Sequence, residues 1–299
     1  MDDGISVITP TYNRAELLNK TLESLAEQAF RRDKYEVIVI DDGSSDNTRQ
    51  VVQSFRDKMN IQYHYQSDRG YRVAKARNIG IDNSRFGYTL FFDCGMVGHA
   101  NLLQTHYQAL QEGRGEVFIG EALGFDEVET HNRESIEAAL ASLDREALFR
   151  VLVSSEKYRD CRRPFFASVD HDLTDVLHSW VLFWTCHASC HTRDLLAIGG
   201  FDENYTAWGA EDIELALRLV KHQKRINVIA EQVAIHLPHE KDAAKREQSL
   251  LYNLYYTHGK HRLAQTQQLL NGNWRDIVKV RTEQATISAA DMMAAAEVA

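Results

Sequence analysis

The chain has 299 residues, 34 Lys and Arg against 43 Asp and Glu, and a formal net charge of −9. With 44% hydrophobic and 26% charged residues, 16 Gly and 3 Pro, it has the composition of a folded globular protein, and collagen-like, disordered and disulfide-scaffold classes are excluded. The acid excess also argues against indiscriminate binding to nucleic acid or anionic membrane, which depends on Lys and Arg neutralising phosphates, so any phosphate has to meet a local cluster of cations.

In chain order, Ile5 to Ile8 reads as a first strand. Asn13 predicts a helix N-cap, with Glu16 three residues on and Leu17, Leu18, Leu22 and Leu25 on one face. Val37 to Ile40 is a continuous apolar run, the pattern of a strand covered on both faces, and it ends in Asp41-Asp42-Gly43. The polar stretch Gly43 to Asn47 is expected to turn the chain and cap a short helix carrying Val51, Val52 and Phe55. Further strands are expected over 61–65 and 88–92, with a helix over 71–81 between them. The middle is less legible. It predicts a strand over 116–121, helix over 132–154, a buried strand over 180–187, and a helix over 193–198 stopped by Gly199-Gly200. An amphipathic helix over 213–220, strands over 226–228 and 233–236, a helical pattern from Lys241 and an Ala/Met-rich tail over 285–299 complete the pass. Alternating strands and helices of this kind require an α/β fold with a mostly parallel, Rossmann-like sheet flanked by helices.

The first four residues carry no cation, the apolar run after them is too short for a signal peptide or a membrane span, and no later run reaches membrane length. The four cysteines are then expected as free thiols in a cytoplasmic protein. Cys186-His187-Ala188-Ser189-Cys190-His191 is not expected to bind zinc, because strand alternation puts its histidines and cysteines on opposite faces.

In an open parallel sheet, ligands bind beyond the carboxyl ends of the strands. Thr9 to Arg14, Asp41 to Asp46 and Asp93 to Met96 occupy those positions here. The segment Arg69 to Asn78 carries four cations and no acid, as a diphosphate site at a helix start would need. There is no G-x-G-x-x-G and no Walker loop, which disfavours nicotinamide enzymes and P-loop ATPases.

Five motifs in order, Val7 to Arg14, Val37 to Asp46, Ala76 to Gly80, Gly199 to Glu203 and Trp208-Gly209-Ala210-Glu211-Asp212, resemble the family-2, GT-A-fold nucleotide-sugar glycosyltransferases over about residues 4–240. The last motif is similar to the galactosyltransferase-type half of chondroitin-polymerase-like enzymes. The resemblance implies a GT-A domain over 1–240, with a nucleotide-binding half to about residue 98 and an acceptor-binding half after it, followed by a helical extension and tail over 241–299. It implies an inverting transfer from a UDP-sugar carrying glucose, galactose or an N-acetyl derivative to a small-molecule, glycan or peptide acceptor. Pro10, Tyr12 and Asp42 would form the base pocket, the Asp42 carboxylate accepting the uracil N–H. Arg14 would lie near the phosphates or on an exposed helix start, while Arg77 and Asn78 match the family's donor-binding pair. Asp93 stands where the family has Asp-x-Asp, whose last carboxylate usually holds Mn²⁺ or Mg²⁺. That last position is Gly95 here, which leaves Asp93 and His236 as candidate metal ligands, Asp93 alternatively serving the donor ribose, with His239 a weaker third. Asp212 would be the general base, with an ordinary carboxylate pKa near 3.9. Glu211 would orient the acceptor and Trp208 would face a sugar ring. The alternatives are a non-catalytic or metal-independent sugar-nucleotide-binding protein on the same fold, a sugar nucleotidyltransferase, and a scaffold whose C-terminal helices form a homo-oligomer.

Overall fold

The computed structural model describes residues 1–112, 117–124, 133–231, 233–239 and 243–281. In chain order the first half contains β1 (Asp2–Thr11), α1 (Ala15–Ala26), β2 (Tyr35–Asp41), α2 (Thr48–Gln53), β3 (Ile61–Tyr65), α3 (Val73–Asp82), β4 (Phe86–Phe92), β5 (Met96–Gly98), α4 (Leu102–Gln111) and β6 (Val117–Gly120). It continues with α5 (Arg133–Ser142), α6 (Arg145–Val153), α7 (Arg163–Ser168), β7 (Val176–Leu177), β8 (His187–His191), α8 (Thr192–Ala197), α9 (Glu211–Lys221), β9 (Ile226–Ile229) and β10 (Ala234–His236). The chain then forms α10 (Ala243–His261), α11 (Ala264–Gln268), α12 (Trp274–Ile277) and β11 (Lys279–Val280). The tail expected over 285–299 lies outside the described residues.

A seven-stranded sheet runs in the order β3-β2-β1-β4-β8-β6-β9. Its first four strands are parallel, β8 is antiparallel to both neighbours, and β9 is parallel to β6. Gly4 to Thr11 of β1 and all of β2 are buried, as strands covered on both faces must be. Ile5, Val7, Val37 and Val39 face Leu18, Leu22 and Leu25 of α1 and Leu102 and Leu103 of α4, while Ile8, Ile38 and Ile40 face α3 and α9. Each such side chain contributes roughly 1.5–3 kcal/mol on burial. Helix α3 lies close to the sheet because Gly80 presents no side chain: a Cβ there would come within 2.6 Å of Ile8 Cγ2. This close packing brings the start of α3 to the carboxyl end of β1.

Two local expectations are corrected. Asn13 is not an N-cap: α1 begins at Ala15, and Asn13 sits at φ +48° with its Oδ1 accepting from Ser45 N at 2.8 Å. The helix start is capped from across the cleft by Asp46, whose Oδ2 accepts from Ala15 N at 3.0 Å while Oδ1 accepts from Thr48 N at the start of α2. The strand expected over 180–187 is a 3₁₀ turn, Ser179–Leu182, followed by irregular chain, and β8 begins only at His187. Trp180 to Phe183 are all at most 2% exposed, which gives a turn the composition of a buried strand. Arg162 anchors that turn, donating to Leu182 O at 2.7 Å with its guanidinium 4.2 Å from the Trp184 ring centre.

β8 shows the expected alternation. His187 and Ser189 share one face and both bond His106, at 2.7 Å each, and the four cysteines are free. Helix α10 is bonded to the 202–214 region. Tyr256 donates to Asp202, Thr257 shares a hydrogen bond with Tyr205, and Lys260 pairs with Asp202 and Glu214. Among the described residues, no helix is long and apolar enough to cross a membrane.

Candidate active site

At the end of β2, Asp41 and Asp42 each accept three hydrogen bonds from the protein. Asp41 accepts from Gly43 N, Ser44 N and the Tyr63 hydroxyl. Asp42, 8% exposed, accepts from Gln66 Nε2 and Arg72 guanidinium on Oδ1, and from Arg72 N on Oδ2. A carboxylate offers about four acceptor positions, so one remains on Oδ2 for a ring N–H. Tyr12 is 46% exposed beside it, with its hydroxyl donating to Asp68 at 2.9 Å. Pro10 is buried in β1, in register with Ile40. The exposed face of Tyr12 and the last lone pair of Asp42 are what this corner offers a base.

Two of the four cations in the expected cluster, Arg72 and Arg77, are paired with acids. Arg72 is paired with Asp42, and Arg77 is 3% exposed, with NH1 on Glu211 at 2.9 Å and NH2 on both oxygens of Asp93 at 3.1 and 3.2 Å. Burial alone would make the Arg77 cation less stable, but Asp93 and then Glu211 more than offset it and hold the guanidinium charged. Arg77 also packs over the Phe201 ring at 5.4 Å. The Asn78 amide bonds Phe201 O, Phe201 N and Glu203. The matched pair therefore ties the 199–203 loop and two carboxylates to α3.

Glu211 and Asp212 open α9, after a turn in which Gly209 has φ +95° and Ala210 φ +67°. A non-glycine residue in the left-handed region costs on the order of 1 kcal/mol, so something must hold the turn. Asn253 of α10, 1% exposed, does so by donating to Ala207 O at 2.9 Å and Gly209 O at 2.6 Å. Glu211 is 5% exposed, and its Oε2 is buried without a partner. Asp212 is half-buried and accepts from its neighbour's amide, Ile213 N, at 2.8 Å. The expectation of an ordinary aspartate fails here: burial, followed by the Glu211 charge, raises the Asp212 carboxyl well above the usual range, against the opposing pull of Arg77. Tyr71, which precedes α3, also feels Glu211, Arg77, Asp93 and Asp212, and its hydroxyl is pushed up first by burial and then by Glu211. Sequence reading did not single it out.

Trp208, 36% exposed, carries the Arg246 guanidinium 4.6 Å from its ring centre. The face expected for a sugar thus belongs to a ring already stacked with a cation. Arg246 and Asn253 were both missed, since they lie on α10 with no motif around them.

Asp93 and His236 are the candidate metal ligands that the fold brings near Gly95, whose O accepts from Leu237 N at 2.8 Å. Asp93 has both oxygens on Arg77, and Gly95 sits at φ +97°, a conformation that a ligating L-residue would adopt only under strain. His236, on β10 opposite Met96, is 6% exposed and lowered to about 3, chiefly by burial and also by His239, Arg14 and Arg246, so its imidazole is neutral. Asp93 and His236 alone would supply two ligands, and among the described residues no three His, Cys, Asp or Glu side chains come together as a set.

Comparison with known proteins agrees with this architecture. The model of glycosyl transferase family 2 matches residues 6–172, and that of the N-terminal domain of galactosyltransferase matches residues 171–240. Validoxylamine A glucosyltransferase of Streptomyces hygroscopicus subsp. jinggangensis is 37% identical over 250 residues, covering 83% of this chain and 59% of that protein. Chondroitin synthase of Escherichia coli is 29% identical over 239 residues, 78% of this chain but 34% of that protein. The chain thus spans only part of the length of these relatives. The structure of S. aureus TarS 1–349 in complex with UDP-GlcNAc matches with a TM-score of 0.63 at 17% identity, covering 89% of this chain and 70% of that one. Mannosyltransferase PcManGT from Pyrobaculum calidifontis, in complex with GDP-Man and Mn²⁺, matches with a TM-score of 0.58 at 20% identity, covering 84% and 63%. Both structures share the GT-A fold. With more than half its length matched by the family model, the chain belongs to glycosyl transferase family 2.

Proposed function

We propose that this chain is an inverting hexosyltransferase that moves the sugar of a UDP-sugar, glucose, galactose or an N-acetyl form, onto a hydroxyl of a glycan, natural product or peptide. The observation that carries this reading is Asp212, a half-buried carboxylate at a helix start whose proton affinity is raised into a range useful to a base at neutral pH. In one displacement the acceptor oxygen bonds to the anomeric carbon, the bond from that carbon to the diphosphate oxygen breaks, and its electron pair leaves with UDP. The acceptor proton passes to an oxygen of Asp212. The unpartnered Oε2 of Glu211 accepts a hydrogen bond from the acceptor, and Arg77 holds Glu211 and Asp93 in place around it. Tyr12 and the remaining acceptor position of Asp42 take the uracil. A relative named for glucosyl transfer and a fold neighbour in complex with UDP-GlcNAc support the donor class. No step is assigned to a divalent metal, given the thin donor set around Asp93 and His236.

Asp212→Asn tests the mechanism. The amide keeps the shape and removes the base, so kcat should fall about 10²- to 10⁴-fold while UDP still binds. Turnover within a few-fold of the wild-type rate would remove Asp212 from the chemistry.

A further inference from the structure

The turn that presents Glu211 and Asp212 is braced from another part of the chain. Gly209 and Ala210 both lie in the left-handed region, at φ +95° and +67°, and α9 starts from them, with Ala210 O accepting from Glu214 N at 3.0 Å. The position of that carbonyl sets the direction in which the first turn of α9 carries its two acids. An alanine, unlike a glycine, is disfavoured at such a φ, so local preference alone does not keep this shape.

One face of α10 keeps it. Asn253, Leu254 and Thr257 are buried and Leu250 partly so, at the spacing of one helix face, while Leu251, Tyr252 and Tyr255 are exposed. Leu250 lies so close to Gly209 that a Cβ there would come within 2.9 Å of Leu250 Cδ1. One turn on, Asn253 Nδ2 donates to Ala207 O at 2.9 Å and to Gly209 O at 2.6 Å, which uses both of its hydrogens on the carbonyls either side of Trp208. Gly209 is buried, so removing the amide would leave its carbonyl short of a donor. The brace is itself fixed. Thr257 Oγ1 donates to Asn253 O at 2.8 Å, which makes Tyr205 the donor in its 2.7 Å bond to Thr257, since a hydroxyl has one hydrogen to give. Tyr205 and Thr257 are both at most 1% exposed. Helix α10 begins after the last residue that either family model matches, so the brace lies outside the shared motifs.

We propose that Asn253 is a positioning residue for the transfer: it locks Gly209 and Ala210 in the left-handed turn, so that Asp212 reaches the acceptor proton and Glu211 the acceptor. This rests on the reading of Asp212 as the base. Asn253 acts only through the turn, so it governs the rate and leaves nucleotide binding at Tyr12 and Asp42 unchanged. Misplacing a reacting group by about 1 Å costs on the order of 10²-fold in rate, which is the scale on which the brace matters.

Asn253→Ala in the whole chain tests the brace with two readouts. Hydrogen exchange at the amides of residues 208–215, followed by mass spectrometry, should become about tenfold faster or more. Release of UDP from UDP-glucose, UDP-galactose and UDP-N-acetylglucosamine, with water as the acceptor, should slow about 10- to 100-fold in kcat, while KM and the Kd of UDP stay within about threefold. Ala210→Gly added to Asn253→Ala should restore part of both, because glycine holds a left-handed turn without help. Tyr256→Phe, which removes a different α10 bond, the one to Asp202, should leave exchange at 208–215 and kcat within about twofold of the wild type. Unchanged exchange in Asn253→Ala overturns the brace whatever the rates, as does a kcat within twofold of the wild type, a loss that lies in KM, or an equal loss in Tyr256→Phe. Asp212→Asn in the same assay separates the two readings. If it loses activity and Asn253→Ala does not, only the positioning role is lost; if Asp212→Asn also keeps its rate, the base assignment goes with it.

Discussion

The acids of the two halves of the cleft have opposite surroundings. At the end of β2, Asp41 and Asp42 each accept three hydrogen bonds from the protein, and Asp46 holds the first turns of α1 and α2 together. At the start of α9, Glu211 and Asp212 share one cation, Arg77, with Asp93 as well, and one Glu211 oxygen has no partner. Carboxylates that accept several hydrogen bonds from the protein are fixed in place, which suits recognition of a rigid base. Asp212, buried and close to the Glu211 charge, has a raised proton affinity, which suits proton transfer. The difference in hydrogen-bond supply therefore separates a shape-reading corner from a reactive one, although both corners read as acid-rich turns in the sequence.

The largest effect should come from removing the shared cation. Arg77→Met leaves Asp93, Glu211 and Asp212 facing one another with no counter-charge, and breaking a buried pair in this way costs about 3–5 kcal/mol. A fall in melting temperature on the order of 10 °C at pH 8, shrinking at acid pH as the carboxylates protonate, is expected. If Arg77→Met melts within about 2 °C of the wild type, Arg77 is not what holds the reactive acids together.

Asp46→Ala probes the filled side. It removes the side-chain acceptor at two helix starts, for a loss of about 1–2 kcal/mol, and the loss should not depend on pH between 6 and 9 because the carboxylate is ionised throughout that range. A loss that changed strongly with pH in this window would place Asp46 with the titrating acids of α9 and erase the distinction.

Legibility in the sequence followed the same division. The β1 and β2 runs and the helices packed on them could be read because a strand buried on both faces is apolar throughout, and Val37 to Ile40 shows nothing else. Glu211-Asp212 stood out as adjacent acids at a helix start. The partners of the charges were not legible: sequence supplies Arg72, Arg77 and Asp93 as ions, while their pairing depends on how closely α3 lies against β1. Trp180 to Phe183 misled because burial gives a turn and a strand the same composition. Arg246 carried no local signal, since an arginine on an amphipathic helix is ordinary until the fold sets Trp208 beneath it.

The smallest effect, and the one that bears most directly on the reactive side, is a shift in pH dependence. Asp212 must be unprotonated to accept the acceptor proton, so activity falls as pH drops through its raised value. Glu211→Gln removes the like charge and frees Arg77 to act on Asp212 alone, and both changes favour the ionised form. The acid limb of kcat/KM should therefore move to lower pH by about one unit, even as the rate falls through weaker acceptor orientation. A limb that stayed in place would mean that burial alone raises Asp212, and that Glu211 serves only to position the acceptor. A limb that moved to higher pH would contradict the charge argument itself, because no other change in that variant disfavours the Asp212 carboxylate.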